Sequence, residues 1–463
     1  MLNRARPFLD MKRIVSLLRS ADWTNPGLIK EFEDTFARIV DAPKAFATDR
    51  GRSALLLALK SLDIGSKDEV IVQSLICRVV IDAILEIGAI PVLVDNSLED
   101  YQASATEIRK KITDETKAII VAHLYGIPCQ IDEISIIARE NNCYLIEDCA
   151  HSLGAQYDDR NVGTYGDLAF FSFNFDKPVS AGNGGMLIVN NLGLLDKVNF
   201  VLEGYKRKSL QSEKEMVYGF ILQHLLTQRD HYCQFLSITF GEALIKSELS
   251  LRSIFDGLLE EGRSEAEITE EIFCFIEDNR LLTRSSSSTT FRRLYSKAKS
   301  LSGILSPTRL FKIEQIEQTD LLMNSLRAVV GLEQLKHLNF ANHIRNENAQ
   351  FLADHLDSSL YSLPTIDAKS TPTFLRYTVL NRTGLPSSEI AKAAMNAGFE
   401  ISNYNWSKPV HLTYPYHKIL SYDRDTLRNS EELTQHLLNI PIHPYVEKKN
   451  LESMITVLNA FGG

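Results

Sequence analysis

Lys177 sits in FFSFNFDKPVSAGNGGML, between an apolar run and a glycine-rich turn. That is unusual company for a charge. Burial lowers a lysine pKa, which an amine that must form a Schiff base requires. A surface lysine ahead of a turn is the plainer alternative. Asp148 closes the run CYLIED and is followed by CAHSLGA. Ligand sites in open α/β sheets lie beyond the carboxyl ends of strands, so adjacent acids after a buried strand are well placed for function. A solvated strand end, or a helix N-cap, would leave the same trace. The third constellation is ATDRGRSALLLAL, residues 47–59. Gly51 ahead of a helix makes an anion site, because free N–H groups and the helix dipole favour phosphate there, and Arg52 adds charge. A lone glycine before a helix is weak evidence by itself. Taken in this order on one scaffold, a phosphate cradle, a strand-end acid and a later lysine are the parts a pyridoxal 5'-phosphate site needs. The cradle holds the phosphate. The acid keeps the pyridine nitrogen protonated, so the ring acts as an electron sink. The lysine forms the internal aldimine and shuttles protons.

These residues need a scaffold that brings them together. Leu28, Ile29, Phe32, Phe36 and Ile39 recur at helical spacing, and residues 53–62 read as a second helix rich in Leu and Ala. Residues 69–72, 91–94, 117–123 and 143–146 read as strands, with helical patterns at 80–87, capped by Gly88, and 131–139. This β-α-β-α order predicts an α/β domain with a mostly parallel sheet covered by helices on both faces. Residues 167–173 and 186–189 read as two strands of a hairpin at the edge of the site. The sequence then turns helical and charged from about 206 to 318, with a polar loop at 285–290. Residues 321–338 restore an amphipathic helix, and the last hundred or so residues read as a smaller α+β domain.

Composition narrows the function classes. The chain has 463 residues, enough for two or three domains, and a formal net charge of -9. An acidic balance argues against a nucleic-acid binder, which usually presents a basic face. No stretch is apolar and long enough to span a bilayer, and the N-terminal residues do not read as a signal peptide. Six cysteines without a CxxC pair point to no metal site. Cys143 and Cys149 bracket an apolar run, as buried free thiols do, which fits a reducing cytoplasm.

The chain resembles the DegT/DnrJ/EryC1/StrS aminotransferases over roughly residues 20–205 and 320–463. The markers are EFEDTFARIV, GRSALLLAL, KDEVIVQS, GAIPVLVD, HLYGIPCQIDEI, LIEDCAHSLGA, VGTYGDLAFFSFNFDK, AGNGGML and the late LLNIPIHP. The resemblance implies fold type I of the pyridoxal-phosphate transferases, with a seven-stranded-type sheet sandwiched by helices. It implies a large domain of 1–205 and 319–345, a mostly helical insertion of 206–318, and a small domain of 346–463. By the same resemblance, Lys177 is the Schiff-base lysine and Asp148 pairs with the pyridine nitrogen. His151 lies near the ring hydroxyl, Ser172 contacts the phosphate, and Gly51 and Arg52 form the phosphate loop, where Gly-Thr is usual.

Some positions depart from the family pattern. Cys77 stands where an aromatic usually stacks on the cofactor, and Asn183 where Glu is common. Asp320, Leu321, Leu322 and Met323 replace the Asn-Tyr-Arg-Met stretch, whose Asn reaches the partner subunit's cofactor phosphate. An aspartate facing a phosphate is unfavourable unless it turns away or is compensated. The long insertion would sit on the surface as a packed helical subdomain. The expected activity is transfer of an amino group, with glutamate as donor, to the keto group of a nucleotide-linked sugar by a homodimer. The presence of Lys177 speaks against the family's dehydratase branch, where a His replaces it. A keto cyclitol acceptor, or a non-catalytic partner-binding protein on the same fold, remain the alternatives, since fold alone does not fix function.

Overall fold

The computed structural model describes residues 8–20, 22, 24–209, 212–213, 216–217, 220, 224, 319–401, 408–413 and 415–462. The helical subdomain expected within 206–318, the polar loop at 285–290, and Cys233 and Cys274 lie mostly or wholly outside the described residues.

The central sheet is built from β1 (Ala45–Thr48), β2 (Glu69–Gln73), β3 (Ile90–Val94), β4 (Thr116–Ala122) and β5 (Tyr144–Asp148). After a small ribbon, β6 (Gln156–Tyr157) and β7 (Arg160–Asn161), the chain adds β8 (Leu168–Ser172) and β9 (Gly185–Val189). Two short edge strands complete it, β10 (Lys206–Arg207) and β11 (Leu321–Leu322). The order is β10-β11-β1-β9-β8-β5-β4-β2-β3. Strands β3, β2, β4, β5 and β8 run parallel, and β9 is antiparallel to both β8 and β1. The seven strands from β1 to β3 are the expected sheet; the edge pair extends it. The β8–β9 hairpin is present, inside the sheet, and its connection borders the cleft described below.

Alternation along the strands divides the core in two. In β4, Ile119 and Val121 join one apolar cluster, and Ala118, Ile120 and Ala122 the other. On the first face packs α2 (Gly27–Val40), through Ile29, Phe32, Phe36 and Val40 at helical spacing. On the second packs α3 (Gly51–Ser61), whose residues Ala54 to Leu59 are all buried. A helix apolar on every side needs cover on every side, and α4 (Arg78–Glu86) and α7 (Leu195–Leu202) supply it.

The stretch 321–338 corrects its sequence reading. It is not one helix. Leu321 and Leu322 form β11, which pairs with Thr48, and α8 (Ser325–Leu335) starts after an Asn324 cap. The chain breaks at Lys336–His337, and α9 (Leu338–His355) carries it onward. The boundary expected at 345/346 falls inside α9. The boundary expected at 206 falls in β10, and Val217 and Phe220 beyond it are buried in the main core. The small domain is a three-stranded antiparallel sheet of β12 (Tyr361–Ser362), β14 (Tyr377–Asn381) and β15 (Leu437–Ile440), with its own apolar cluster. Between β12 and β14, β13 (Ser370–Thr371) reaches back to pair with β6.

Candidate functional site

The carboxyl ends of the parallel strands point to one edge of the sheet. A cleft of about 340 Å³ opens there. Gly51 and Arg52 line it from the start of α3, Cys77 from the end of the β2 loop, and Asp148 and His151 from the end of β5. Ser172 lines it from the end of β8, and Lys177 from the β8–β9 connection. The candidate residues read from the sequence therefore meet. A larger, more open depression of about 720 Å³ lies beyond β3, among Asp95, Glu99, Lys110 and Asp425. It contains none of these residues, and its buried carboxylate, Asp95, already accepts the N–H groups of Asn429 and Ser430.

Asp148 is buried, and its Oδ1 accepts the Ala150 N–H at 3.0 Å. Burial pushes its pKa up to about 6, against the opposing pull of that hydrogen bond, Lys177 and His123. His151 Nδ1 accepts the Tyr125 N–H at 3.2 Å, which assigns the ring proton to Nε2. Burial, with the positive charges of Lys177 and Arg376, holds the His151 pKa well below the usual value, so the ring is neutral.

The Lys177 backbone N–H donates to Asn174 O at 3.1 Å, closing a turn. Its Nζ lies 3.5 Å from Asp176 Oδ1, and the other Asp176 oxygen accepts from Arg376 Nη2 at 2.8 Å. Arg376 comes from the small domain, just ahead of β14, and is buried. The turn after Lys177 needs glycine at Gly184, where φ is 144° and a Cβ would lie 2.5 Å from Met323 Cε.

At the other end of the cleft, a Cβ on Gly51 would sit 3.1 Å from Ser172 Cβ and 3.4 Å from Ser172 Oγ. Glycine there lets the first turn of α3 close on β8 and form a narrow cradle of N–H groups and a hydroxyl. Arg52 Nη2 pairs with Glu86 at 2.8 Å, and Glu86 also accepts the Thr319 hydroxyl. The Arg52 Nε is buried without a hydrogen-bond partner. Cys77 precedes α4 as its N-cap residue, and burial pushes its thiol pKa up, so the thiol is protonated at neutral pH.

The sequence profile of the DegT/DnrJ/EryC1/StrS aminotransferase family matches residues 9–222 and 308–459. This chain belongs to that family. GDP-perosamine synthase of Escherichia coli O157:H7 is 41% identical over 169 residues, which cover 36% of this chain and 46% of that protein. The dTDP-3-amino-3,6-dideoxy-alpha-D-galactopyranose transaminase of Aneurinibacillus thermoaerophilus is 38% identical over 212 residues, 43% of this chain and 58% of its own. The chain thus spans about half the length of these curated relatives. An aminotransferase from Psychrobacter cryohalolentis superposes with a TM-score of 0.69 at 22% identity, covering 98% of this chain and 97% of its own, which shows the shared fold.

Against the DegT family's pattern, Asp320 turns out to be compensated. Its Oδ1 lies 2.6 Å from Lys60 Nζ. Asn183 Oδ1 accepts the Gly184 N–H and so shapes the turn after Lys177. Sequence reading missed several residues. His123 Nδ1 accepts the Cys129 N–H at 3.2 Å, and Nε2 lies 3.0 Å from Glu147. His123, Glu147 and Cys149 are close enough to hold a metal ion, but Glu147 also accepts the N–H groups of Gly163, Tyr165 and Gly166, each at 2.7 Å. Those bonds use the carboxylate for structure. Arg327, buried in α8 and bonded to Asp49 and Glu213, had no signal beyond a lone arginine in an apolar helix. Asp176, beside Lys177, was visible but unread. No helix among the described residues is long and apolar enough to cross a membrane.

Proposed function

We propose that the protein is a pyridoxal-phosphate-dependent aminotransferase that passes an amino group from glutamate to the keto group of a nucleotide-linked sugar. The observation that carries this reading is the meeting of Lys177, Asp148, His151, Gly51 and Ser172 around one cleft. The cradle between Gly51 and Ser172, the buried unpartnered Arg52 Nε and the strand-end carboxylate fit the phosphate and ring nitrogen of that cofactor. When bound, the cofactor supplies an electron sink beside the substrate carbon. Asp148, ionised, would accept the N–H of the ring nitrogen and hold it protonated. His151, neutral and protonated on Nε2, would donate to the ring hydroxyl oxygen. The α3 N–H groups, Ser172 Oγ and Arg52 would hold the phosphate. Lys177 Nζ would carry the cofactor and move a proton to and from the substrate carbon as general acid and base. Asp176, anchored by Arg376, would keep that amine in place.

Family membership and the names of the relatives support the sugar acceptor, while the glutamate donor and the homodimer rest on the sequence resemblance to the family alone. The free buried thiols of Cys129, Cys143 and Cys149 support a reducing cytoplasm. Cys77 and Asn183 line the cleft where the family usually has other residues, which keeps a non-nucleotide acceptor such as a keto cyclitol as the second reading. The test incubates purified protein and pyridoxal phosphate with glutamate and a panel of nucleotide-linked keto sugars or keto cyclitols. Formation of 2-oxoglutarate and an amino sugar supports the proposal. Turnover with cyclitols alone moves the acceptor class. No 2-oxoglutarate with any acceptor would favour the non-catalytic reading.

A further inference from the structure

Glu213 lies in helical backbone after β10, and its carboxylate is fully buried. Val217 and Phe220, four and seven residues on, share its helical face and are buried too. Phe220 closes on the loop after Lys177: a Cβ on Gly182, whose φ is 82°, would lie 2.6 Å from Phe220 Cβ. Its ring also meets Phe175, with centroids 6.2 Å apart.

Glu213 reaches the opposite end of the cleft through Arg327. Arg327 Nε donates to Glu213 Oε2 at 2.7 Å, Nη2 to Asp49 Oδ1 at 2.7 Å, and Nη1 to the Asp49 carbonyl at 2.8 Å. Lys208 Nζ lies 3.0 Å from Asp49 Oδ2, and Arg50 Nε lies 3.4 Å from the same oxygen. The planar guanidinium presents a rigid fork that two carboxylates and one carbonyl fill. Three cations, Arg327, Lys208 and Arg50, face two anions, and the Arg327, Glu213 and Asp49 side chains are at most 1% exposed.

Asp49 stands directly ahead of Arg50, Gly51 and Arg52, where α3 begins. Its N–H donates to Leu321 O at 2.9 Å while its carbonyl is held by Arg327. Both sides of the residue are fixed, so the approach of the chain to α3 is fixed, and with it the direction of the first N–H groups. Without the Glu213 charge, Arg327, Lys208 and Arg50 would share the single buried Asp49 carboxylate, with Arg327 wholly out of water. Buried charges do not tolerate that, so the fork would shift and Asp49 with it.

We infer that Glu213 is a positioning residue for the phosphate end of the cleft, acting through Arg327 and Asp49. Glu213 thereby sets how tightly the phosphate of a ligand is gripped. This rests on the pyridoxal-phosphate reading above.

The test titrates the full-length protein and Glu213→Gln spectrophotometrically with pyridoxal phosphate and, separately, with pyridoxal, which has the same ring and aldehyde but no phosphate. Pyridoxal phosphate affinity is expected to fall about tenfold or more in the variant, and pyridoxal affinity to stay within about twofold. A purely structural role would move both alike. Should Glu213→Gln fail to fold, E213Q combined with R327M removes one charge of each sign, leaves the net charge of the cluster unchanged and carries the same comparison. Equal losses for the two ligands, or no loss for either, overturn the inference and leave the proposed function standing. A native protein that binds no pyridoxal phosphate overturns the proposed function itself, and the inference with it.

Discussion

Glu147 and Asp148 are consecutive residues at the end of β5, and they face opposite sides of the sheet. Glu147 turns into the protein, where three backbone N–H groups and His123 surround its carboxylate. Asp148 turns into the cleft. Read as letters they are a pair of equivalent acids; the pleat gives them separate roles. Glu147→Gln replaces one charged acceptor with an amide that cannot serve all four donors. It is expected to destabilise the protein by about 2–4 kcal/mol. Urea denaturation checks this, and a change below about 0.5 kcal/mol, the usual size for an inert surface position, would refute the structural role.

Asp148 makes a prediction of opposite sign. Its pKa is raised from 3.8 to about 6 by burial. Between those values the folded state holds a proton that the unfolded state has lost. Stability of the cofactor-free protein should therefore fall as pH rises through this window, with the full penalty present above about pH 6. Asp148→Asn is expected to remove up to about 3 kcal/mol of that penalty. It should also weaken pyridoxal phosphate binding, because an amide cannot neutralise the ring nitrogen. Thermal denaturation of both proteins at pH 4.5 and 7.5 is the check; identical pH slopes would refute the assignment.

Asp320 is expected to be tolerated. The Lys60 and Asp320 side chains are 33% and 40% exposed, and pairs exposed to that degree contribute about 1 kcal/mol or less. Asp320→Asn should leave the urea midpoint nearly unchanged. A strong gain in pyridoxal phosphate affinity in that variant would instead mean that the aspartate repels the phosphate despite Lys60.

Cys77 offers a chemical probe of occupancy. Its thiol lines the cleft and is kept protonated by burial, so iodoacetamide should label it slowly at neutral pH and faster as the pH rises. Pyridoxal phosphate should slow that labelling further. Mass spectrometry of the Cys77 peptide reads it, and labelling indifferent to pyridoxal phosphate would place the ligand elsewhere.

Much of the fold and the cleft was legible from periodicity and from the residues just beyond each apolar run. Asp148, Ser172 and Lys177 come after such runs, and a parallel sheet brings the ends of its strands to one edge. The reading of 321–338 failed because Leu321 and Leu322 look the same in a strand as in an amphipathic helix. Only pairing with Thr48 decides between them. Arg327, Glu213 and Asp49 were illegible for a related reason. Each is an ordinary charge in the chain, and their meaning comes from separations of 278 and 114 residues closing to hydrogen-bond distance. The compensation of Asp320 by Lys60 was likewise a question the sequence raised and only the fold answered.

The proposed chemistry stands or falls with Lys177 as the residue that carries the cofactor. The direct measurement is borohydride reduction of the protein loaded with pyridoxal phosphate, followed by peptide mass spectrometry, with Lys177→Ala alongside. The expected result is a single reduced phosphopyridoxyl adduct on the peptide containing Lys177, absent from the variant. An adduct on another lysine, or one undiminished in Lys177→Ala, would contradict that role.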